Sequence, residues 1–127
     1  FSGFRSYGDS KLMNLMFSNE FNRRYAGEGI FANALHPGVI ATELARDQSI
    51  PFMLLGVFML PLMKTVPRGA ATSLYAATSP DYEQRGGLFF SDCREKKVLH
   101  KLAQDEDACA ALWQRSCQMT DFADNRS

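Results

Sequence analysis

Tyr7 and Lys11 stand four residues apart in a segment whose apolar positions recur at helical spacing. On a helix that separation puts both side chains on one face. A phenol with an ordinary pKa of about 10 exchanges protons poorly at neutral pH. An ammonium beside it favours the phenolate and makes the phenol a usable general acid/base. A lysine so placed also has donors for a pair of sugar hydroxyls, and a helix N-terminus would reinforce both effects if Tyr7 lies in the first turn. The plain alternative is a tyrosine and a lysine on the solvated face of an amphipathic helix. The spacing alone leaves both readings open.

A second constellation begins at Asn33 and runs through Ala34, Leu35, His36, Pro37, Gly38, Val39, Ile40 and Ala41 to Thr42. It sits at the carboxyl end of an apolar run that reads as a strand. Ligands of open α/β sheets bind in the crevice at such strand ends. Pro37–Gly38 turns the chain and lets another group approach its backbone closely. The backbone groups that follow, with the Thr42 hydroxyl, suit a planar amide such as a carboxamide. A plain turn is the competing reading. His36 reads as a pocket-wall or backbone-capping residue. Cys93 reads as a small apolar side chain, since no basic partner is evident for it.

The elements that must position these groups are legible in outline. Ser6 to Tyr25 reads as a long amphipathic helix, with Leu12, Leu15, Met16 and Asn19 on the packing side and Glu20, Arg23 and Arg24 on a polar flank. Ser6 and Asp9 have the spacing of a capping box, and Gly27 and Gly29 end the helix. Ile30 to Leu35, apolar on both faces, predicts a buried strand. A helix opens at Thr65 or Val66, with Pro67 tolerated in its first turn and Ala70, Ala71, Leu74, Tyr75 and Ala77 on its packing side. Ser79–Pro80 stops it. Leu88 to Phe90 predicts a short strand. Asp105 or Asp107 starts a last helix, with Cys109, Leu112, Trp113 and Cys117 on one stripe. A strand, a crossover helix and a second strand predict two parallel strands and an α/β layer fold. Buried parallel strands need neighbours that this order does not supply. With Phe1 in first position, the chain therefore reads as the C-terminal part of a doubly wound domain.

Composition removes other classes. The chain has 127 residues, 46% of them hydrophobic and 22% charged, the balance of a globular segment rather than a disordered tail. Fourteen basic residues cancel fourteen acidic ones, which leaves no excess to neutralise a phosphate backbone, so no nucleic-acid partner is expected. Three cysteines, none in CxxC spacing, predict reduced thiols in a reducing compartment. No metal site is expected, because His36 and His100 match no common zinc spacing. Gln48 to Met63 is the longest uncharged stretch. As one helix it would span about 24 Å, short of the roughly 30 Å hydrocarbon core, and Pro51 and Pro61 break it. It reads as an apolar lid or as a patch that dips into a membrane interface.

Taken together, Tyr7 with Ser10 and Lys11, the segment from Asn33 to Thr42, the strand end Leu88 to Cys93, Gly69 to Tyr75, and Ala111 to Cys117 resemble the short-chain dehydrogenase/reductase family. The likeness is to its C-terminal half and its retinol-dehydrogenase-like and WW-domain-oxidoreductase branch. The resemblance covers nearly the whole chain. It implies one partial domain over 1–127, part of a Rossmann-like doubly wound parallel sheet whose first half is missing, with an apolar substrate-binding excursion over 43–63. Tyr7 would be the catalytic proton carrier and would also touch the cofactor, and Lys11 would hold the nicotinamide ribose and act in catalysis by lowering the pKa of Tyr7. Pro37, Gly38, Val39, Ile40 and Thr42 would line the nicotinamide of NADP or NAD, with NADP favoured.

The implied substrate is a lipophilic alcohol and its aldehyde or ketone. The implied location is the cytoplasm, or the cytoplasmic face of the endoplasmic reticulum or mitochondrion. Membrane association would come from an N-terminal segment or from 48–63, and pairing of two copies is common in the family. The Gly-rich turn, the residue that selects the cofactor, and the catalytic serine and asparagine of the family are not in this sequence. The chain alone is therefore expected to be inactive. A second reading, from the interaction class, makes it a non-catalytic module that contacts a protein or a membrane through 48–63 and the helix of Tyr7.

Overall fold

In the computed structural model, which describes residues 3–40, 63–98 and 100–122, helices carry most of the described residues. Helix α1 spans Gly3–Tyr25, β1 Ala34–His36, α2 Val66–Thr78, β2 Phe89–Ser91, β3 Arg94–Glu95, α3 Lys101–Gln104 and α4 Glu106–Thr120. The sheet order is β1-β2-β3. Gly87 donates to Ala32 at 2.8 Å and Ala34 to Leu88 at 2.9 Å, so the pairings advance together along the chain and β1 and β2 run parallel. β2 and β3 form a hairpin closed by the Lys96 N–H on the Phe89 carbonyl at 2.8 Å.

The described chain falls into two compact units: Phe1–Ala34, Pro80–Phe89 and Glu95–Ser127 in the first, Leu35–Ser79 and Phe90–Arg94 in the second. The first unit is built on α1, which packs against α3 and α4. Its core is Met16, Ala103 and Cys109, with Leu12, Leu15, Val98, Ala108 and Leu112 against it. Trp113 is buried, with Phe17 stacked on it at 4.8 Å and Phe21 and Tyr25 each at 6.1 Å. Helix α4 begins as its sequence dictates. The Asp105 carboxylate accepts the Ala108 N–H at 3.0 Å, and Glu106 and Asp107 lie where the helix dipole favours negative charge. In the second unit Phe90 and Thr72 are fully buried, and Tyr75 meets Phe90 edge-on at 6.3 Å.

The structure corrects several expectations. Helix α1 starts at Gly3, so Ser6 is already inside it and no capping box with Asp9 forms. Glu20, expected on a polar flank, is 2% exposed. The first strand begins at Ala34 rather than Ile30, and Ile30 is 48% exposed. Two causes are visible. The Asn33 side chain takes over the start of the ladder, accepting the Leu88 N–H and donating to the Arg85 carbonyl at 2.9 Å each. Among the described strands β1 also pairs only with β2.

The second strand sits one residue later than predicted, and β3 was not predicted at all. The two-residue turn between them, Asp92–Cys93, has φ of 55° and 52°, the geometry that hairpins usually fill with Asn-Gly. In α2 the buried positions are Gly69 and Thr72, while Ala70, Leu74 and Ala77 face outward. The packing stripe is therefore rotated from the one expected. The short α3 was also unforeseen.

Candidate functional site

In the first unit the Tyr7–Lys11 pair forms as the spacing predicts. The Lys11 Nζ lies 5.2 Å from the centroid of the Tyr7 ring, within cation–π range. Tyr7 is 64% exposed and Lys11 is exposed as well, so both polar heads are open to a ligand. One turn further, the Ser10 hydroxyl donates to the Tyr7 carbonyl at 2.7 Å and is thereby kept off the phenol.

In the second unit the chain leaves β1 at His36, which is exposed, and bends through Pro37, Gly38 and Val39. Gly38 has φ of 88°, a conformation that side-chain-bearing residues seldom adopt. A Cβ on Gly38 would also meet the Lys64 stem at 2.9 Å. The Lys64 backbone N–H donates to the Val39 carbonyl at 2.8 Å, and Ile40 and Lys64 form an isolated parallel bridge. The Lys64 ammonium is paired with the Asp92 carboxylate, whose other oxygen accepts from the Ser91 hydroxyl at 3.4 Å. Behind the bend, Ile40 is pressed against Gly69 of α2, where a Cβ would fall 2.2 Å from the Ile40 Cδ1. Thr72 of the same helix uses its Oγ1 to accept the Cys93 N–H at 3.3 Å. Pro37, Gly38, Val39 and Ile40 thus form one braced bend, and Val39 presents an exposed side chain.

Thr42 and the apolar excursion, apart from Met63, lie outside the described residues. Sequence reading missed Lys64, Asp92 and Thr72. Nothing in local pattern singles them out, because each gains its role from a partner at least twenty residues away.

An exposed ammonium beside an exposed phenol matches a ribose diol with a reacting carbonyl near it. Among the described residues no group of three or more His, Cys, Asp or Glu side chains is placed to hold a metal ion, and no helix is long and apolar enough to cross a membrane. Cys109 sits in the core of the first unit. Burial pushes its thiol up from the ordinary range, Arg23 draws it down, and Asp105 and Glu106 push it up further.

No family model matches the chain. Curated proteins do. Retinol dehydrogenase 14 of Homo sapiens is 41% identical over 110 residues, 84% of this chain and 32% of its own length. The WW domain-containing oxidoreductase of Gallus gallus is 37% identical over 112 residues, 87% of this chain and 27% of its own. The chloroplastic short-chain dehydrogenase TIC 32 B of Brassica napus is 36% identical over 119 residues, 92% of this chain and 37% of its own. The chain therefore spans about a third of the length of the relatives it matches. A helix-rich α/β arrangement with a small mixed sheet, matched along most of its length, is consistent with part of a Rossmann-like domain. By these likenesses the chain belongs to the short-chain dehydrogenase/reductase family of oxidoreductase enzymes, on its retinol-dehydrogenase-like side.

Proposed function

We propose that the chain is the part of an NAD(P)-dependent oxidoreductase that carries its proton donor and the nicotinamide end of its cofactor site. The observation that supports this best is the Lys11 ammonium held 5.2 Å from the exposed Tyr7 ring. The substrate is a lipophilic alcohol and its aldehyde or ketone. A retinoid is the first candidate, because a relative at 41% identity is named for retinol.

Tyr7 gives a proton from its Oη to the substrate oxygen during reduction and takes one back during oxidation. Lys11 donates hydrogen bonds to the nicotinamide ribose. Pro37, Gly38, Val39 and Ile40 form the backbone wall for the carboxamide, and Thr42 adds its hydroxyl. When bound, the nicotinamide supplies or accepts the hydride. NADP(H) is the favoured cofactor. The complete protein works in the cytoplasm or at the cytoplasmic face of an internal membrane, where such substrates partition.

The test is turnover of a retinoid or another long-chain aldehyde by the complete protein. Tyr7→Phe is expected to lower kcat by at least about 100-fold, the scale of a lost general acid. Its affinity for cofactor should fall far less than its turnover, since Lys11 is untouched. Undiminished turnover by Tyr7→Phe would refute the role given to Tyr7. Titration with NADPH and NADH in turn decides the cofactor.

A further inference from the structure

The bend at Pro37–Gly38 is held by an ion pair that the family resemblance does not assign. Three observations converge on it. The Lys64 stem lies in the space that a Cβ on Gly38 would need, so it packs directly on the glycine. Its backbone N–H ties down the Val39 carbonyl at 2.8 Å. Its ammonium is anchored on Asp92, in the hairpin turn between β2 and β3.

Asp92 is itself fixed from behind. Both turn residues are in the left-handed region, a conformation that residues with a side chain adopt only when something holds them there. Fully buried Thr72 of α2 accepts the Cys93 N–H at 3.3 Å and holds the turn in that state. The relay is thus α2 to turn, turn to carboxylate, carboxylate to ammonium, ammonium stem to glycine bend. Every member belongs to the second unit.

We infer that Lys64 and Asp92 are a positioning pair for the cofactor. They clamp the Pro37–Gly38–Val39 bend in the shape that receives the nicotinamide carboxamide, without either one reacting. This rests on the proposed oxidoreductase function for the word cofactor, but not for the clamp itself. The Lys64 head is 27% exposed and the Asp92 head 62%, so the pair is partly screened, and its removal should loosen the bend rather than unfold the chain.

Two readouts on the complete protein separate clamp from cofactor. Hydrogen exchange at the Lys64 amide reports the bond to Val39, and NADPH titration reports the carboxamide site. Asp92→Asn keeps the left-handed backbone, which asparagine tolerates, and removes only the charge. Lys64→Met keeps the stem and removes the ammonium. Each should speed exchange at that amide about three- to fivefold, the scale of a partly exposed ion pair. Each should raise the NADPH dissociation constant by a similar factor while kcat at saturating cofactor changes less than about twofold. Lys64→Arg should restore both readouts.

Unchanged amide exchange in both variants would overturn the clamp, whatever binds there. Faster exchange with unchanged NADPH affinity would overturn its link to the cofactor. A wild-type protein that binds neither NADPH nor NADH would refute the oxidoreductase reading instead, and the exchange result would still decide the clamp. If Lys64→Met fails to fold, Asp92→Asn carries the test alone.

Discussion

At the scale of single residues, Glu20 is a buried carboxylate held by two guanidiniums. Its carboxylate accepts from Arg24 Nε at 2.7 Å and also pairs with Arg23. Those guanidiniums then reach α4. Arg24 lies 5.3 Å from the Trp113 ring centroid, and Arg23 donates to the Glu106 carboxylate and carbonyl at 3.2 Å each. A buried charge is tolerable only when paired in this way, which is why a residue of polar type sits among apolar ones.

Cys109 follows the opposite logic. Burial among apolar neighbours keeps its thiol protonated beyond the ordinary range. Its folded pKa lies above its unfolded one, so the folded state holds the proton longer. Stability from this source is complete below the ordinary thiol pKa, about 8.5, and falls as pH rises above it toward the raised value. Two measurements check this. At pH 8 a thiol reagent should label half-buried Cys93 and Cys117 before Cys109. In the complete protein, unfolding free energy should decline above about pH 8.5, and that decline should be weaker in Cys109→Ala.

Tyr7 and Lys11 were legible because a helix converts a spacing of four into adjacency. Glu20 was misread because composition suggests a solvated flank, and only the tertiary partners of its neighbouring arginines show otherwise.

At the scale of elements, α2 is the brace behind the bend, and Gly69 is the point of contact. Alanine there would gain about 1 kcal/mol of helix propensity. It would also place a Cβ 2.2 Å from Ile40 Cδ1. Overpacking of this kind costs about 1–3 kcal/mol, so the clash outweighs the propensity. Gly69→Ala is expected to lower the melting temperature and weaken cofactor binding together. Adding Ile40→Ala should recover stability, because the clashing methyl is gone. A neutral or stabilising Gly69→Ala would show that α2 does not bear on the bend.

The helices were the readable elements. Asp105 capped its helix and Pro67 opened another as their chemistry requires. The strands were less so. Their three- and two-residue lengths give no period to detect, and Asn33 replaces the first rung of a backbone ladder with its side chain. Asp92–Cys93 hid a hairpin behind residues that rarely occupy a left-handed turn.

At the scale of the molecule, the described surface carries many apolar side chains. Met13, Ile30, Val66, Leu74 and Met119 are all exposed, and β1 has one paired edge. The 127-residue chain by itself should therefore show a broad thermal transition and bind a hydrophobic dye at neutral pH. A sharp transition without dye binding would contradict this.

The two units are also interleaved. Residues 35–79 and 90–94 make up the second, and the five-residue stretch holds Asp92 while the long one holds Lys64 and the glycine bend. A chimera that borrows only the long stretch from a relative would graft in an ammonium and leave its counter-charge to chance. The bend should keep its shape in such an exchange when both stretches travel as a set.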